Sequence, residues 1–99
     1  MYKFDWDENK NLQNKTKHGI SFKEATEAFY DNDSLLIYDE KHSQNEDRYY
    51  QIGMIKEFKI VIVVFCIREN DKIRIISARE TTRKEREEYE KRKLSTTIC

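Results

Sequence analysis

Apolar and polar positions change their spacing once along this chain, near residue 33. Before that point the spacing is helical. Phe22, Ala25, Ala28 and Phe29 recur on one side of a 3.6-residue period, and Ser21-x-x-Glu24 ahead of them forms a capping box. The pattern predicts a helix from Ser21 to near Tyr30, ended by the turn residues Asp31-Asn32-Asp33. An earlier helix starts at Asp7, an N-cap residue type, and runs to about Lys17. Gly19 then fits the position just past a helix end, where φ is often positive.

After Asp33 the period becomes two. Leu35 to Tyr38 reads as a short strand, and residues 48–55 as a second with Arg48, Tyr50 and Ile52 on one face. Residues 58–67 are apolar and rich in β-branched types, continuously so from Ile60 on, the mark of a central strand covered on both faces. Residues 72–77 make a fourth strand, reached through a tight hairpin at Glu69-Asn70-Asp71. A second capping box, Thr82-x-x-Glu85, opens a last helix to about Lys93 whose apolar content is little more than Tyr89 and Leu94. The order predicts an α+β fold: two N-terminal helices on one face of a four-stranded antiparallel sheet, then a C-terminal helix. One sheet face is left for something else.

The length of 99 residues suits one domain, residues 1–99. Charged residues make up 38% and the hydrophobic class 37%, so the core should be thin and the exterior heavily charged; 12% aromatic content argues against disorder. Net charge is zero, which lends no support to nucleic-acid binding by itself. The distribution is uneven, with seven positive against four negative side chains in residues 68–86. Cys66 and Cys99 are too few for a disulfide framework, so a reducing compartment is expected. With only His18 and His42 beside them, no zinc spacing exists. The first residues carry no signal-like apolar stretch, and the run from Ile60 to Ile67 is too short to span a bilayer. A soluble cytoplasmic protein is expected.

Candidate chemistry lies in basic residues. Arg74 interrupts the isoleucines of the fourth strand, on the face opposite Ile73 and Ile75. It is either an ion-pair partner across the sheet or a phosphate clamp, since guanidinium offers a rigid fork of donors. Arg79 lies near the start of the last helix, where helix N-termini attract phosphate. Arg48 would share a sheet face with Arg74 if both their strands flank the central one; Glu46 is then a proton acceptor or a salt-bridge partner. Lys17-His18 closes a helix, and His18 is either a dipole-compensating cap or a general acid or base. His42 reads as exposed loop filler, and Trp6 as packing beneath the first helix with a base-stacking platform as the rival. These side chains suit RNA cleavage in which the 2′-hydroxyl attacks its own phosphate, because arginine and lysine supply the electrostatic stabilisation that step needs. No acidic cluster suits paired Mg²⁺.

Three segments in order resemble the BrnT family of bacterial toxins. They are Phe4-x-Trp6-Asp7 through Lys10, Asn14, Lys17-His18-Gly19-Ile20-x-Phe22 and Glu24-Ala25; His42-Ser43-x-x-Glu46-x-Arg48 with Ile52-Gly53; and residues 73–79 followed by Thr82, Glu85-Arg86 and Tyr89. The resemblance covers about residues 4–89. It implies a ribonuclease toxin of a type II toxin–antitoxin pair with a RelE-like fold, which inhibits translation and growth by metal-independent cleavage without a cofactor. It implies a BrnA-type antitoxin that neutralises the toxin and alone brings the complex to operator DNA. Carried onto matching positions, it makes His18, Glu46, Arg48, Arg74 and Arg79 the catalytic candidates. Lys17, Arg48, Arg74, Arg79 and Arg83 are the phosphate-binding candidates, with no metal ligands. This chain departs from the pattern in residues 54–59 and at the Asn70-Asp71 turn, and its tail from residue 94 has no counterpart.

Two other readings fit the same residues: a non-catalytic nucleic-acid-binding module, and a protein-interaction subunit that docks a partner on its charged last helix and open sheet face. Salt-dependent binding without cleavage marks the first, and co-purification with the product of a neighbouring gene the second.

Overall fold

The computed structural model describes residues 2–56 and 58–98, the last four of these in backbone only. Glu57 and Cys99, both part of the sequence reading, lie outside the described residues.

Local capping sets the N-terminal helices. Helix α1 is Glu8–His18: the Asp7 carboxylate accepts from the Asn9 N–H at 3.0 Å, and Gly19 closes the helix at φ 72°. Helix α2 is Phe22–Ala25, with both arms of the Ser21/Glu24 capping box formed. Here the expected second helix is corrected. After one α-helical turn the chain tightens into a 3₁₀ segment, Thr26–Tyr30, which Asp31 ends in extended backbone. Asn11 ties the two helices together by accepting from the Phe22 N–H at 2.8 Å.

Five strands form one sheet: β1 Phe4–Asp5, β2 Leu35–Tyr38, β3 Arg48–Met54, β4 Ile60–Arg68 and β5 Lys72–Glu80. Their order is β1-β5-β4-β3-β2. The expectation of four antiparallel strands is therefore corrected: the sheet is mixed, because β1 pairs in parallel with β5, Phe4 opposite Ile73 and Asp5 opposite Arg74. A two-residue strand shows no periodicity, and its partner lies about seventy residues away, so no local signal marks it. The hairpin between β4 and β5 holds Asn70 at φ 64° and Asp71 at φ 60°, residue types that tolerate left-handed backbone.

Direct antiparallel partners share a face, so the register assigns each side chain. Val61, Val63, Phe65, Ile73, Ile75 and Ala78 meet Ile20, Phe22, Ala25, Ala28 and Phe29 in the main core. Gly53 lies on this face because the chain passes too close for a side chain: a Cβ there would lie 2.5 Å from the Ala28 carbonyl oxygen. Trp6 packs edge-on against Phe22 at 6.1 Å, the packing role expected for it.

Asn14 is the only buried residue of α1, and it does the work of a neighbouring strand. Its amide nitrogen donates to the Ala78 carbonyl at 2.8 Å and to the Ile20 carbonyl at 2.9 Å, while its oxygen accepts from the Ala78 N–H at 3.1 Å. The open edge of β5 beyond β1 is thereby paired.

The other face is only part covered. Helix α3, Arg83–Ile98, lays Tyr89 over Ile52 and Ile62, and the Tyr89 hydroxyl donates to Asp31 at 2.6 Å. Burial and the Asp31 carboxylate push the Tyr89 phenol well above its ordinary value. Among the described residues, no helix is long and apolar enough to cross a membrane.

Candidate functional site

The rest of this second face carries the basic residues. Arg48 lies opposite Cys66, and Cys66 opposite Arg74. Two inter-strand steps, roughly 10 Å, separate the backbones of the two arginines. Between Arg74 and Arg79 the sequence spacing is five, which in a regular strand places them on opposite faces. The pairing is irregular there: Val64 pairs with Ser77 but Phe65 pairs with Ile75, so Ile76 is an extra residue. This bulge brings Arg74, Ser77 and Arg79 to one face.

Two of these arginines already hold carboxylates. Arg74 donates to Asp5 at 2.7 Å, and that guanidinium holds the Asp5 carboxyl below its usual value. Arg79 grips Glu85 through both terminal nitrogens at 2.9 Å. The pair lowers the Glu85 carboxyl and raises the Arg79 guanidinium. Glu85 also accepts from the Thr82 N–H at 2.8 Å, completing the capping box that opens α3. Arg48 differs: it has no carboxylate partner among the described residues. It is the arginine of this face whose fork is available to a ligand.

Glu46 pairs with Arg68 at 3.3 Å, at the end of β4 nearest Arg48. Glu46, Arg48, Lys41 and His42 line one hollow of about 280 Å³. His18 and Lys17 are not part of this group. They lie at the β5 edge in a separate hollow with Lys10, Ile76 and Ser77. Arg83, 86% exposed at the start of α3, pairs with Glu87 at 3.3 Å. The structure thus joins Arg48, Arg74 and Arg79 on one face, with Glu46 at its rim, His18 and Lys17 at its edge, and Arg83 outside it.

Sequence reasoning passed over three polar residues here. Asp39, 5% exposed, follows β2, and its Oδ2 lies 2.9 Å from His42 Nδ1. Burial pushes the Asp39 carboxyl up, but hydrogen bonds from the Tyr50 hydroxyl and from His42 outweigh this and hold it below its usual value. Burial and Asp39 together raise the Tyr50 phenol. His42, read as loop filler, is therefore a tethered side chain. The available signal was Asp39 three residues before it, in a segment where a turn brings such neighbours together. Cys66 is fully buried, and burial pushes its thiol up, as befits a small core residue. Among the described residues, no group of three His, Cys, Asp or Glu side chains is placed to hold a metal ion.

A family model described as a ribonuclease toxin, BrnT, of type II toxin–antitoxin systems matches residues 6–85. Among solved structures, the chain is similar to the Brucella abortus ribonuclease toxin BrnT. The identity is 24%, the match covers 84% of this chain and 100% of that one, and the TM-score is 0.66, a likeness of fold. No curated protein matches the chain.

Proposed function

We propose that this chain, which belongs to the BrnT family of ribonuclease toxins of type II toxin–antitoxin systems, cleaves RNA on the uncovered part of its sheet without a metal ion. The observation that carries the reading is the β5 bulge, which brings Arg74 and Arg79 to the face that Arg48 of β3 occupies, a face that α3 covers only in part. In this reading Arg48 takes a phosphate directly, through a fork with no competing carboxylate among the described residues. Arg74 and Arg79 are oriented by Asp5 and Glu85 and supply positive charge beside it. When the 2′-oxygen attacks, the phosphate gains negative charge, and fixed guanidinium groups stabilise that state more than the ground state. Lys17 and His18 lie where a neighbouring nucleotide would cross the β5 edge, and Arg83 where the strand would leave past α3. Glu46 with Arg68 walls the opposite side.

Such cleavage inhibits translation and growth. An antitoxin of the BrnA type silences it by covering the arginines of the open face, and only that complex meets operator DNA. The test is incubation of purified, folded protein with RNA in EDTA. Cleavage is expected; intact RNA at high enzyme concentration overturns the reading.

A further inference from the structure

We infer that His42 is the proton acceptor of the open face, with Asp39 as its positioning residue; this rests on the ribonuclease reading above. Four observations converge on it.

The first is the chemistry of the pair. Asp39 is buried and held as a carboxylate, so it only accepts hydrogen bonds. The contact at 2.9 Å therefore puts the ring proton on Nδ1, facing Asp39. Nε2 is left unprotonated and turned away, on an imidazole that is 55% exposed. A paired carboxylate fixes the tautomer and stabilises the imidazolium formed when the ring takes a proton. The second is that Asp39 also acts on the Tyr50 phenol of β3, which sets the pair beside the sheet face that carries the arginines.

The third is the rigidity of the turn. Asp39 donates its N–H to the Arg48 carbonyl at 2.8 Å, and the Arg48 N–H donates to Ser43 Oγ at 2.9 Å. The His42 N–H donates back to Asp39 Oδ1 at 3.3 Å. These bonds clamp the loop to Arg48, whose guanidinium has no carboxylate partner among the described residues. The fourth is placement, since His42 and Arg48 line one hollow. The charged groups around the imidazole are Asp39 and Lys41 from its own loop, Glu46 and Arg48 across the hollow, and Arg68 from β4 through its pair with Glu46.

The step balances without a co-reactant. The 2′-hydroxyl gives its proton to His42 Nε2 as the 2′-oxygen bonds to phosphorus. The bond from phosphorus to the 5′-oxygen breaks, that oxygen takes a proton from water, and the hydroxide left takes the proton held on His42 Nε2, which restores the imidazole. The products are a 2′,3′-cyclic phosphate and a free 5′-hydroxyl.

The experiment measures cleavage of mixed-sequence RNA across pH for the unmodified chain, His42→Ala and Asp39→Asn, with folding checked by thermal unfolding. The rate of the unmodified chain should fall on the acid side, as it does when a general base must be free to take a proton. His42→Ala should lose about a hundredfold in rate together with that acid limb, and added imidazole should restore part of it. Asp39→Asn should lower kcat while KM stays within about twofold, a split that a purely structural role would not produce. A His42→Ala protein that cleaves at the unmodified rate with an unchanged acid limb overturns the assignment alone. Failure of the unmodified chain to cleave overturns the ribonuclease reading and this assignment with it.

Discussion

The two faces of the sheet divide stability from chemistry. The helix-side face is apolar at its centre apart from Gln51, and Phe22 and Val61 are completely buried there. The opposite face is apolar only where Tyr89 covers Ile52 and Ile62, and beyond that it presents Arg48, Arg74, Ser77 and Arg79. Both faces come from the same strands, and alternation along β3, β4 and β5 gives each its own residue set. Changes on one face should therefore move folding and spare function, and changes on the other should do the reverse.

The largest expected effect breaks the first half of that comparison. Phe22→Ala removes a fully buried ring and should cost about 3–5 kcal/mol in denaturant unfolding. A loss below about 1 kcal/mol would show that the helix-side face does not dominate stability. The second half is tested by Arg48→Ala. Unfolding should shift by no more than about 0.5 kcal/mol. RNA cleavage should fall about a hundredfold, equivalent to about 2.7 kcal/mol of transition-state stabilisation. Equal cleavage by the variant would remove Arg48 from the site.

Tyr89→Phe sharpens the boundary between the covered and open parts of the second face. It deletes the hydroxyl that bonds Asp31 but keeps the ring over Ile52 and Ile62, so a loss of about 1 kcal/mol is expected in the same assay. Acid should weaken both halves together. Arg79 lowers the Glu85 carboxyl, and Asp31 and Asp39 are also lowered, since hydrogen bonds outweigh their burial. A carboxylate lowered in the folded state contributes stability above its unfolded value, about pH 4. That contribution is lost as pH falls through the folded values. Thermal unfolding should therefore drop steadily from about pH 5 downward; a melting temperature flat over that range would contradict it. The smallest effect belongs to Arg83→Ala, whose exposed pair with Glu87 should be worth less than about 0.5 kcal/mol.

How much of this was legible depended on range. Asp7, Gly19 and the two capping boxes announce themselves because a side chain and the backbone it bonds lie within a few residues. The central strand was visible because burial on both faces leaves a continuous apolar run, and the sharing of a face by Arg48 and Arg74 followed from strand order. The parallel strand β1 left no trace. Asn14 reads as an indifferent helix residue, and its bonds to Ala78 exist only in the folded chain. Likewise, nothing local says that Arg74 and Arg79 hold Asp5 and Glu85 while Arg48 has no carboxylate partner among the described residues. The ion pairs of Arg74 and Arg79 shift the weight of the proposal to Arg48.

The bulge at Ile76 has one more consequence. It works as a parity switch. Residues on its N-terminal side and residues on its C-terminal side follow opposite odd–even rules, so the composition of β5 does not by itself decide what faces the ligand; the count of residues does. Drawing Ile76 into regular pairing would leave every side chain of the strand chemically unchanged. It would also turn Arg79 toward the dry core and Ala78 toward the open face. Deleting Ile76 would instead restore plain alternation with Arg74, Ser77 and Arg79 still on the face they share, so the site tolerates the loss of the extra residue but not its pairing.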